Sequence, residues 1–178
     1  MGIIEDRRSI RHYKEGNIDK DTILKILDSG RLAPSAKNRQ PWYFVVLNSD
    51  LKDKVADLMT KYYEGHKNDN ERIMSVINTA RVIKESSVLI LIFKNNDIDW
   101  LINDTLSIGA CVENMCLKAT ELNIGSLWIG DTMYVEDEIK KLVNKEDMSL
   151  SCALSLGISN CNPKQRPRKE LNEIVEWL

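Results

Sequence analysis

Five arginines stand at two places where their spacing suits an anion. Arg7, Arg8 and Arg11 surround the Ser9 hydroxyl at the front of the chain, and Arg166 and Arg168 flank Pro167 near its end. If the front segment is helical, Arg7 and Arg11 share a face, being four residues apart. Pro167 disfavours helix for Arg166, and in extended chain residues two apart point the same way. Two sets of guanidinium groups could therefore converge, and guanidinium forks suit phosphate. Either set alone reads as ordinary solvated charge. The stretch Ala33-Pro34-Ser35-Ala36-Lys37-Asn38-Arg39-Gln40-Pro41-Trp42 adds different chemistry. Its two prolines stop a helix, and between them lie a hydroxyl at Ser35 and side-chain amides at Asn38 and Gln40, groups suited to a planar polar ligand. Asn78 and Arg81, three apart on a helical pattern, offer a further amide and cation. Gly125-Ser126-Leu127-Trp128-Ile129-Gly130 reads alone as a buried strand with a turn at each end.

The elements that must carry these groups follow from hydrophobic periodicity. Asp19 is placed to cap a helix running to about Arg31, with Ile18 and Ile23 at hydrophobic-staple spacing. Tyr43 to Leu47 and Ser87 to Phe93 are apolar runs that read as buried strands. Leu51, Val55, Leu58, Met59 and Tyr62 define one amphipathic helix, and Ile73, Ile77 and Ala80 a second. The polar stretch from Glu64 to Asn70 between them reads as an exposed loop. From Thr105 to Leu122 apolar residues cover so much of a helical circumference that only a narrow strip is expected to be wet, which makes this helix central or buried against another subunit. Asn123 suits a left-handed stop, Ser126 to Gly130 an extended piece, Glu136 to Asn144 a helix and Cys152 to Ile158 a strand. The order is mixed helix and strand around one sheet, without internal repeats.

The chain has 178 residues, a size that fits one domain over residues 1–178. Its net charge of -2 and pI near 5.8 supply no positive field for nucleic acid. No apolar run approaches the ~20 residues of a membrane span. The charged start, without an apolar signal stretch, leads us to expect a cytoplasmic protein. Cys111, Cys116, Cys152 and Cys161 contain no Cys-x-x-Cys pair and read as reduced, mostly core thiols. His12 and His66 lack partners at metal spacing, which argues against zinc or iron.

Taken together, the Arg7–Arg11 cluster, the Pro34-Ser35-Ala36-x-Asn38 segment and the Gly125–Gly130 run resemble the pattern of the nitroreductase family, in a compact form. The resemblance extends from Ile3 to about Val175 and weakens over Leu51–Ser75 and Lys94–Asp104. It implies an α+β nitroreductase-like fold, with a central mixed, mainly antiparallel sheet flanked by helices, and an intertwined homodimer. It also implies FMN as cofactor, NADH or NADPH as reductant, and small-molecule acceptors such as nitroaromatics or quinones, reduced by two-electron hydride transfer in a ping-pong cycle. On this resemblance Arg7, Arg8, Ser9, Arg11, Arg166 and Arg168 hold the ribityl phosphate. Pro34, Ser35, Ala36 and Asn38 reach across the dimer interface to the partner's flavin. Asn78 and Arg81 address the pyrimidine end of the ring. Leu127, Trp128, Ile129 and Gly130 line the ring face, with a backbone amide near Gly130 or Asp131 at the reactive edge. No side chain need act as acid, base or nucleophile, because the cofactor performs the hydride chemistry. Two departures stand out: Asn123-Ile124 occupies the place of a glycine-rich turn, and Leu156-Gly157-Ile158-Ser159 lacks the aromatic that often follows that glycine. A flavin-binding or sensing module with little turnover, or a reductive dehalogenase or flavin-consuming enzyme on the same scaffold, would share these residues.

Overall fold

The sheet is built around its last strand. In a computed structural model describing residues 2–178, β5 (Met148–Ser159) pairs antiparallel on one side with β3 (Val88–Asn95), and β3 with β2 (Tyr43–Leu47). Along its other side β5 pairs antiparallel with β4 (Gly125–Ile129) and, further on, with the two-residue β1 (Tyr13–Lys14). A single parallel bridge, Ser9 to Ser126, adds the front segment outside β4.

Helices cover both faces. Leu89, Leu91 and Phe93 of β3 point into one core with α3 (Ser49–His66), α4 (Ile73–Glu85) and α6 (Glu136–Leu142). Ile90 and Ile92 alternate into the other, beneath α2 (Lys20–Arg31) and α5 (Leu101–Glu121). All five side chains are fully buried, which explains why β3 reads as an unbroken apolar run rather than an alternating one. Gly30 sets the approach of α2 to α5: a Cβ there would stand 2.7 Å from Met115 Cγ. Among the described residues no helix is long and apolar enough to cross a membrane.

Asp19 caps α2 as its spacing predicts, accepting from Thr22 N at 2.9 Å. Asn123 takes φ 57°. Other expectations are corrected. The front helix, α1, spans only Ile3–Asp6, and Arg7 at ψ 130° has left it. The peptide groups after it find partners in β4 instead, with Ile10 N donating to Ser126 O at 2.9 Å. Strand β2 is an edge strand that leaves Tyr43 and Val46 exposed, because only β3 pairs with it. Leu51 is also exposed. Helix α3 runs on through Glu64 and Gly65 to His66, whose ring stacks on Tyr62 at 4.0 Å, so only the remainder of the expected loop is non-helical. Helix α5 begins at Leu101, ahead of the expected Thr105, and its first two turns expose Leu101, Ile102 and Leu106; from Ser107 to Thr120 every residue is buried or half-buried, as the apolar circumference predicts. Helix α6 ends at Leu142, and Asn144 turns left-handed after it.

Candidate functional site

The extended stretch after α1 still gathers the front arginines. In extended chain Arg7, Ser9 and Arg11 alternate onto one side, and the tail after β5 runs back past them. A cavity of about 460 Å³ results, lined by Arg7, Arg8, Ser9, Arg11, Arg166 and Arg168, so the six residues expected at a phosphate are all brought together. Lys164, Glu5 and Glu113 also line it, giving six cations against two carboxylates. Arg7 Nε pairs with Glu113 at 3.2 Å. Arg8 donates from Nη1 to the carbonyls of Arg7, at 2.9 Å, and Glu5, while its buried Nε has no partner. A buried N–H left unbonded is costly, and like charges at such density call for a counter-anion. The donor set therefore fits a phosphate dianion.

A second cavity, of about 380 Å³, shares Arg11 with the first. Asn78, Arg81, Leu127, Trp128, Ile129 and Gly130, which the family resemblance implied for a ring, line it, and His12, Ser75, Thr79 and Asp131 join them. It opens on the free edge of β4. Since Ser126 O already faces the front segment, strand alternation turns the peptide groups of Trp128 to the same open edge. The three central residues do not form one wall, however. Leu127 and Ile129 are buried in the α3/α4 core, whereas the Trp128 indole lies on the opposite side of the sheet near Gly109 of α5. Arg81 pairs with Glu85 and donates to Arg11 O at 3.4 Å and His12 Nδ1 at 3.3 Å, an arrangement that requires the His12 proton on Nε2. Asn78 donates its amide N–H to Met74 O of its own helix at 3.0 Å. Thr79 Oγ1 donates to Asp131 Oδ2 at 2.7 Å, tying α4 to the turn after β4. Thr79 and His12 adjoin residues the sequence had flagged, so proximity along the chain was the available signal, and Asp131 was flagged for its backbone amide rather than its carboxylate; Glu113 gave no signal.

Pro34, Ser35, Ala36 and Asn38 line neither cavity. They lie against the N-terminal half of α5, where Ala36 N donates to Ser107 Oγ at 3.3 Å. Arg39, unremarked in the sequence, forks onto Asp104 through Nε and Nη2 at 3.0 and 3.2 Å, reaches Asp97 at 2.8 Å and lies 4.3 Å from the Trp100 ring centre. These partners are too distant in sequence to be foreseen. Asp104 is first among the groups that raise the Arg39 pKa above its usual value.

The sequence model described as the Nitroreductase family matches residues 4–158. A protein of Archaeoglobus fulgidus, provisionally named NADH dehydrogenase/NAD(P)H nitroreductase, is 28% identical over 168 residues, covering 88% of this chain and 83% of its own. Among solved structures, a BluB-like flavoprotein from Clostridium difficile 630 superposes with a TM-score of 0.80 at 27% identity, covering 99% of this chain and 97% of the other. The FMN-dependent nitroreductase NfnB of Mycobacterium smegmatis, in complex with NADPH, gives a TM-score of 0.85 at 15% identity, covering 99% and 96%, which speaks to the fold alone.

Proposed function

The chain belongs to the nitroreductase family, and from that premise we propose that it is an FMN-dependent oxidoreductase that spends NADH or NADPH on reducing small acceptors such as nitroaromatics or quinones. The observation that carries this reading is the arginine-lined cavity with the unbonded Arg8 Nε, joined through Arg11 to a second cavity of a size for a flat ring. FMN, when bound, supplies the two-electron hydride chemistry. The residues of the chain bind and orient. Arg7, Arg8, Ser9, Arg11, Arg166 and Arg168 neutralise the phosphate, and Asn78 with Arg81 addresses the polar end of the ring. The Trp128 peptide at the open β4 edge offers hydrogen bonds in the plane of the sheet. The lining of the second cavity would hold the ring and exclude water from it, and nicotinamide and acceptor would use the same open side in turn, which implies ping-pong kinetics.

A homodimer completes the site. Pro34, Ser35, Ala36 and Asn38 have no ligand-facing role within their own chain, and they border an exposed apolar flank of α5 formed by Leu101, Ile102 and Leu106. Leu171, Ile174 and Trp177 of the tail are likewise exposed. Burying these surfaces against a second copy gives the segment a flavin to reach. Three buried thiols suit a reducing compartment such as the cytoplasm.

The test is a fluorescence titration of flavin-free protein with FMN and with riboflavin, which lacks the phosphate. Binding of FMN more than about a hundredfold tighter is expected from several charge-assisted hydrogen bonds. Equal affinities would refute the assignment of the arginine cavity.

A further inference from the structure

Between Pro34 and Pro41 the backbone holds a shape it would not keep by itself. Lys37, Asn38 and Gln40 have φ of 50°, 55° and 49°. In this left-handed region a Cβ crowds the following carbonyl, and residues other than glycine stay there only where their surroundings over-determine them. Arg39, between Asn38 and Gln40, is in the ordinary helical region at φ -67° and ψ -26°. Its side chain supplies the over-determination. The guanidinium engages both oxygens of Asp104 and one of Asp97 while it lies against the Trp100 ring. Asp104, in the first turn of α5, is 1% exposed. A carboxylate buried so completely requires a partner that matches it in charge and geometry, and an arginine fork does so where a lysine cannot.

One turn further along α5, Ser107 Oγ accepts from Ala36 N, so the helix grips the segment on both sides of its 3-10 turn. Inside the segment Gln40 N donates to Ser35 Oγ at 3.0 Å. That bond occupies an acceptor position on the hydroxyl and leaves its proton to donate.

We propose that Arg39 is a positioning residue, whose clamp onto Asp104, Asp97 and Trp100 holds Ser35 and Asn38 ready to hydrogen-bond the flavin of a second copy of the chain. This rests on the FMN reading above. Its physical content is preorganisation: a segment already strained into its binding shape loses little further freedom when the ligand arrives. Without the clamp the left-handed residues relax, and the same side chains must be ordered at the expense of affinity.

Two variants test it. Arg39→Met combined with Asp104→Leu removes the pair together and so avoids an uncompensated buried charge. Arg39→Lys keeps the charge and loses the fork, and it serves where the double variant fails to fold. The measurements are the FMN dissociation constant by fluorescence and the rate of tryptic cleavage after Lys37 in flavin-free protein. We expect faster cleavage after Lys37 and FMN binding weaker by about tenfold or more, the loss of one or two good hydrogen bonds. FMN affinity within about twofold of the parent in a folded variant overturns the proposal whatever the cleavage rate, and leaves the FMN reading standing. A parent chain that binds no FMN overturns both.

Discussion

Arg81 is held by Glu85, His12 and the Arg11 carbonyl at the mouth of the second cavity, a mooring that fixes its charge in place before any ligand arrives. A preorganised cation assists a reaction where negative charge develops, because nothing has to reorganise. On the proposed function that place is the pyrimidine end of the ring. Arg81→Ala should therefore slow flavin bleaching by NAD(P)H about tenfold or more while changing FMN affinity much less; stopped-flow absorbance against a binding titration separates the two. Unchanged bleaching would remove Arg81 from the chemistry. The thiols give a second prediction at this scale. Burial pushes Cys111 and Cys152 up to about 12 and Cys116 to about 11. Their neutral forms are favoured in the folded chain, so the stability they contribute is complete below the unfolded thiol pKa near 9. It is lost as pH rises from there through the folded values. Urea midpoints should fall across that window. In native protein at neutral pH a thiol reagent should find Cys161 at once and the buried three only on unfolding.

Among the elements, α4 matters most, since Asn78, Thr79 and Arg81 all sit on it. Its C-terminal carbonyls are met by Lys52 of α3, whose buried Nζ donates to Ile83 O at 3.0 Å and Lys84 O at 2.9 Å. Lys52→Ala leaves Lys84 O without this donor while Ile83 O still accepts from Ser86 N and Oγ, so the cost is about 1 kcal/mol; for a chain of this size that lowers the melting temperature by a few degrees. Calorimetry that showed no shift would mean water replaces the lysine. How far such elements could be read in advance depends on what fixes them. Helix α2 was legible because its cap, Asp19, and its apolar stripe are local. The route from Arg7 to Arg11 was not, because a peptide on β4 decides it. The front arginines nevertheless line one cavity, since a spacing of two in extended chain puts Arg7, Ser9 and Arg11 together as surely as a helical turn would. The Trp128 side chain was misplaced for the opposite reason: alternation along β4 sends it away from Leu127 and Ile129. The Arg39 clamp had no sequence signal at all, because an arginine among many charged residues acquires meaning only when folding buries Asp104 beside it.

At the scale of the whole molecule the account requires two chains. Leu106 is 69% and Ile102 74% exposed on the free flank of α5, one helical turn apart. These side chains form the surface on which the proposed dimer would close. Leu106→Glu should turn a dimer into a folded monomer in light scattering and weaken FMN binding with it, because Ser35 and Asn38 then have no partner site; a variant that stays dimeric would place the interface elsewhere. The central claim, that this chain holds FMN and passes electrons from a nicotinamide to it, is tested most directly by the visible spectrum of FMN-loaded protein under anaerobic addition of NADH and then NADPH. The account predicts a two-banded flavin spectrum that bleaches with at least one of them and returns on addition of a quinone or nitroaromatic. A flavin that remains oxidised with both donors would contradict it.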